Sequence, residues 1–153
     1  MFTFKLQSVL DHRQFVEDNL KKEHAEIKLR LMAEQQKLES LEKKEMQTRA
    51  ALKLEQVQGL SSHQVVAYHA YLKGLADHMS NQKAVIGEIR EEETIKQAAL
   101  LQAMKKRQIL EKLKEQEHGR FNRKVLKKEM TFIDEIAVNQ YVRKGIEKRR
   151  GGQ

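Results

Sequence analysis

The chain has 153 residues, of which 34% are charged and 5% aromatic, with no Pro, Cys or Trp and a formal net charge of +8. Glu, Lys, Gln, Leu and Ala dominate, a composition typical of long helices or coiled coils rather than a compact globule, and its periodic apolar residues argue against disorder. Without cysteine there is no disulfide and no thiolate metal site, and no run of about 18 apolar residues is present to span a membrane.

The opening Met1-Phe2-Thr3-Phe4-Lys5 has no basic stretch followed by an apolar one, so no secretory signal is expected and a cytoplasmic address is the default. A first helix is predicted from about Thr3 to Gln58. Alternating steps of four and three select Leu6, Leu10, Leu20, Ile27, Leu31, Leu38, Leu41 and Leu52 as one apolar stripe. His24 falls on the same stripe and reads as a tolerated polar residue.

The only strong break is Gln58-Gly59-Leu60-Ser61-Ser62. Gly59 suits the left-handed residue that closes a helix, and Leu60 the apolar contact that follows it. Ser61 with Gln64 fits a capping box opening the next helix. That second helix is predicted from about Ser62 to Gly145, with a basic tail over 146–153. Gly74, Gly87 and Gly119 lie inside it, each costing about 1 kcal/mol relative to Ala.

The second helix repeats the stripe at Val65, Tyr68, Leu72, Leu75, Met79, Ile86, Ile89, Leu100, Ala103 and Leu110. Two such stripes wrap as a coiled coil. The expected fold is therefore all-α, a single two-helix antiparallel coiled-coil hairpin with a longer C-terminal helix. A fold-back at residue 60 sets Leu52 opposite Tyr68, Leu41 opposite Met79 and Leu31 opposite Ile89. Glu34, Glu45, Glu93 and Lys96 also occupy stripe positions, and Arg13 is expected near Arg107. Their stems can lie on the seam, but they weaken it relative to leucine.

The second helix is expected to outrun the first by about 30 residues, a length of about 45 Å at 1.5 Å per residue. This overhang carries Phe121, Val125, Leu126, Met130, Phe132, Ile133, Ile136, Ala137, Tyr141 and Ile146, which need a cover. Either the chain's own N-terminal segment or a partner protein supplies it. The charge is also uneven: residues 102–153 hold 15 basic and 7 acidic side chains, the whole of the excess. That bias fits an acidic partner surface or a solvated helix face.

No phosphate loop, paired-His metal motif or nucleophile–base arrangement occurs. None of the six histidines lies three or four residues from another, so a two-His helical metal site is excluded. A two-helix hairpin also offers no dry concave pocket. No enzyme activity, cofactor, metal or small-molecule substrate is expected. Lys105-Lys106-Arg107 and Lys127-Lys128 would suit phosphates, but Glu111, Glu115, Glu117 and Glu129 are interleaved and aromatics are few, so nucleic acid is not the expected partner.

Several stretches, in order, resemble the flagellar protein-export component FliJ. They are Phe2-x-Phe4-x-Leu6-x-x-Val9-Leu10-x-x-Arg13, Tyr68-x-x-Tyr71-Leu72-x-x-Leu75, Leu110-Glu-Lys-Leu-Lys-Glu115 and Glu129-Met-Thr-Phe-Ile-Asp-Glu-Ile-Ala137. The resemblance implies an antiparallel coiled coil similar to the central stalk of rotary ATPases. Such a protein inserts into the hexameric flagellar export ATPase, promotes its assembly, binds the export-gate membrane protein and helps to recycle export chaperones. It would act in the cytoplasm, peripherally at the cytoplasmic face of the inner membrane. By position, Arg13, Arg120, Arg123, Asp134 and Glu135 would meet the ATPase. Leu41, Tyr71, Leu75, His78 and Gln82 would meet the gate, although Leu41 and Leu75 also suit the seam. The alternatives are the stalk of a virulence-type secretion system and a free-standing coiled-coil scaffold or chaperone.

Overall fold

The computed structural model describes residues 1–152. It is all-α, an antiparallel helical hairpin of α1 (Gln7–Gln58) and α2 (Ser62–Arg150), with no strand among the described residues. The reversal between the helices is built from backbone chemistry. Gly59 takes φ 99°, a region that a Cβ makes costly. The Ser61 N–H donates to Gln64 Oε1 (3.1 Å), and the Gln64 N–H donates to Ser61 Oγ (3.3 Å). This reciprocal pair satisfies two of the donors that a helix start leaves without partners.

Both outer helix ends differ from the sequence expectation. α1 begins at Gln7 rather than near Thr3, because the chain turns first: the Gln7 N–H donates to the Phe4 carbonyl at 3.2 Å. The turn buries Phe4 to 5% exposure and leaves Leu6, assigned above to the stripe, 38% exposed. At the other end, 146–150 is helix rather than tail. Nothing there breaks α2, since Gly145 is tolerated without a proline beside it. Lys148, Arg149 and Arg150 place positive charge on the last turn, where the helix dipole favours it.

The chain divides into two compact units, Phe15–Met104 and Met1–Gln14 with Lys105–Gln153. In the first, Leu52, Leu72 and Leu75 form a buried cluster beside the bend, with Leu41, Leu60 and Tyr68 packed on it. Ile27, Ile86, Ile89 and Ala103 are also buried. Burying each large aliphatic side chain contributes about 1.5–3 kcal/mol.

Polar rungs flank this seam. Arg30 pairs with Glu92, Lys96 Nζ lies 2.6 Å from Glu23, and Gln82 donates to the Glu34 carbonyl at 2.9 Å. The Tyr68 hydroxyl donates to Glu55 at 2.8 Å. All four pairs fall within about one helical turn of the register that a fold-back at residue 60 sets. Two ionisable residues are buried with the aliphatics. Glu17 is fully buried with Lys21 Nζ at 3.2 Å, and His24 Nε2 lies 3.6 Å from Glu93 Oε1.

In the second unit, Phe4 and Leu10 are the buried hydrophobic side chains. The Phe2 ring leans on His118 and Phe121, with centroids 4.8 and 5.6 Å away. Arg107 pairs with Glu111, one turn further on, at 2.8 Å. From Asn122 to Gly152 every residue is exposed.

Candidate protein-interaction surfaces

Near the bend, within Phe15–Met104, helix periodicity splits the five candidate gate residues. Leu75 is 5% exposed in the core cluster and Leu41 packs on that cluster, so both hold the hairpin together. Gln82 is half-buried, its amide spent on Glu34. Tyr71 and His78 are exposed. They lie seven residues apart, two turns along one flank of the seam. Tyr71 borders a shallow groove floored by the small Ala51 and Ala67 and walled by Tyr68 and Glu55. An aromatic ring beside a strip of small residues is a usual anchor for a protein partner, because it offers large apolar area at low rotamer cost.

Two groups near this face have displaced ionisation. Hydrogen bonds from Gln82 and then from Lys37 stabilise the Glu34 carboxylate and hold its pKa below the ordinary value. The hydroxyl of Tyr68 donates to Glu55, which favours the neutral phenol and raises its pKa.

The five candidate ATPase residues all belong to the other unit. Arg13 is half-buried, whereas Arg120, Arg123, Asp134 and Glu135 are exposed. The Arg123 Nε–H donates to the Gly119 carbonyl at 3.3 Å, which leaves the rest of its guanidinium available. Asp134 and Glu135 sit among exposed hydrophobics: Met130, Phe132, Ile133 and Ile136 are 41–63% exposed. Of the overhang residues in need of cover, Phe121 is partly covered by Phe2, and those beyond it are exposed. The N-terminal segment was one of the two covers expected for the overhang, and Phe2 supplies it at Phe121, but the aromatics that do so were not named for it from the sequence. Their signal was the Phe2-x-Phe4 pair standing outside the helical stripe.

Among the described residues no cluster of His, Asp or Glu is arranged to hold a metal ion, and no helix is long and apolar enough to cross a membrane. The grooves on both surfaces are shallow and open.

Comparison with curated proteins finds no match, and neither does comparison with solved structures. The family model described as Flagellar FliJ protein matches residues 1–145. With a match that runs from the first residue to within eight of the last, this chain belongs to the flagellar FliJ family.

Proposed function

We propose that this chain is a non-enzymatic central-stalk and chaperone-escort component of flagellar protein export. In this reading it promotes assembly of the export ATPase ring and couples that ring to the membrane export gate. Family membership makes it a flagellar export-related component, and the family is non-catalytic. The observation that carries the finer reading is the helix 122–150, exposed over its whole length while holding Leu126, Met130, Phe132, Ile133 and Ile136. A run of exposed apolar side chains on an unpaired helix marks a surface for a partner.

The ATPase would engage that helix, with Arg120, Arg123, Asp134 and Glu135 fixing orientation through charged hydrogen bonds. The gate protein would engage Tyr71 and His78 beside the groove at the bend. Export chaperones would dock on the same chain and be recycled from it. The protein itself would stay cytoplasmic, held at the inner membrane through its partners. The flagellar character of the family match favours this system over a virulence-type one.

The experiment is a pull-down of the cognate export ATPase with the full chain, followed by ATP hydrolysis measured with and without it. Co-purification with stimulated hydrolysis is expected. Absence of both would leave a scaffold that never meets an ATPase.

A further inference from the structure

The exposed part of α2 complements itself in the side chains it would bring together; its symmetric spacing is that of any heptad stripe. Its apolar stripe runs Leu126, Met130, Ile133, Ala137, with steps of four, three and four. Read backwards, the steps are the same. A second copy laid antiparallel, centred between Thr131 and Phe132, would set Leu126 against Ala137 of the other copy and Met130 against Ile133. Both contacts then occur twice. Large meets small at the ends and Met meets Ile in the middle, so that facing side chains interdigitate. A two-fold contact requires this self-complementarity, because each surface must serve as its own partner.

Charge obeys the same symmetry. Lys127 and Asp134 lie one heptad apart, on the flank of the stripe that faces its own equivalent across an antiparallel pair. Lys127 of each copy would meet Asp134 of the other, giving two opposite-charge pairs and no like-charge contact on that flank. Among the described residues neither has an ion pair. Leu126, Met130 and Ile133 are 57%, 59% and 61% exposed, so the face is open to a second helix.

We propose that residues 126–137 pair antiparallel with the same segment of a second copy of this chain, through a Leu126–Met130–Ile133–Ala137 seam closed by reciprocal Lys127–Asp134 ion pairs. Four layers make a small interface, of the weak, reversible class. Asp134 also belongs to the surface proposed to face the ATPase, so the self-paired and ATPase-engaged states exclude one another. The pair is a storage form that covers Leu126, Met130 and Ile133 until the ring is present.

The test uses the isolated full chain in sedimentation equilibrium from about 5 to about 500 µM, at low salt, a range spanning weak dissociation constants. The wild-type chain is expected to pass from monomer to dimer. Asp134→Lys and Lys127→Asp, each alone, are expected to weaken dimerisation at least about tenfold, the effect of about 1.4 kcal/mol. An equimolar mixture of the two variants regains complementary charges and is expected to dimerise as the wild type does. Both positions are exposed, and unchanged circular dichroism shows that the helix is intact. A wild-type chain monomeric throughout, single variants that dimerise normally, or a mixture no better than its components would each overturn the proposal. Protection of the face only on addition of the ATPase would name that protein as its sole occupant and overturn self-pairing as well.

Discussion

Two stretches of α2, residues 65–103 and 122–150, are both long, charged and studded with aliphatics, yet they place those aliphatics differently. In the first, the four-and-three steps from Val65 to Ala103 land only on buried or half-buried residues. Continued past Phe121, the same steps land on Lys124, Lys128, Thr131 and Glu135, all exposed. The apolar stripe reappears two residues later, at Leu126, Met130, Ile133 and Ala137. Two residues are about 200° around the helix, so the stripe has moved to nearly the opposite side. What buries a residue here is a second helix opposite its face, not its own hydrophobicity. Glu17 and His24 are buried because they lie on the seam, whereas Phe132 and Ile133 are exposed because they have none.

The largest effect is expected where the paired stretch loses core volume. Leu75→Ala removes a side chain 5% exposed in the cluster with Leu52 and Leu72. Such a truncation costs about 2–4 kcal/mol, to be read as a lower urea midpoint by circular dichroism. A cost below about 1 kcal/mol would show that Leu75 is not core and would return it to the surface candidates.

Much of this comparison was legible in the sequence. The stripe positions from Leu10 to Glu55 and from Val65 to Lys114 are all at least half-buried. The reason is geometric: helix periodicity fixes which face is shared, whatever residue stands there. Leu6 escaped because one turn at Phe4 overrides the period, a local hydrogen bond that no repeat encodes. The surfaces were less legible. Tyr71 stood out by lying off the stripe, and exposure bears on it directly. Leu41 and Leu75 could not be separated from the seam until packing assigned them to it. Glu17 went unnoticed because a carboxylate is expected in water, yet its stripe position outweighs that preference.

A smaller effect is expected at the bend, which aligns the two arms of the paired stretch. Gly59→Ala forces a Cβ into φ 99°, although no atom stands in its way. The cost is backbone strain of about 1 kcal/mol, set by left-handed geometry alone. Thermal melting would check it, and Gly59→Asn should recover part of the loss, because Asn tolerates this region better than Ala.

Smaller again is the pH dependence carried by Glu34. Its folded pKa lies below the ordinary 4.5, chiefly through the Gln82 hydrogen bond. Its contribution is therefore complete above that value and is lost as the pH falls through the depressed folded one. Denaturant midpoints from about pH 6 to pH 3 should fall less steeply for Glu34→Gln than for the wild type. Identical slopes would mean that the carboxylate gains nothing from folding.

The smallest expected change in stability is in the unpaired stretch, where the comparison is sharpest. Ile133→Asp replaces a residue 61% exposed and should move the unfolding midpoint by less than about 0.5 kcal/mol, the range of ordinary surface substitutions. The same change in the seam would put a charge into an apolar contact and cost several-fold more. Binding should respond in the opposite order. Ile133 stands mid-stripe on the face proposed for partners, so the variant should lose ATPase co-purification and self-association while melting like the wild type. If Ile133→Asp melts several degrees lower instead, the helix beyond Phe121 already has cover within the chain, and its apolar face is not a docking surface at all.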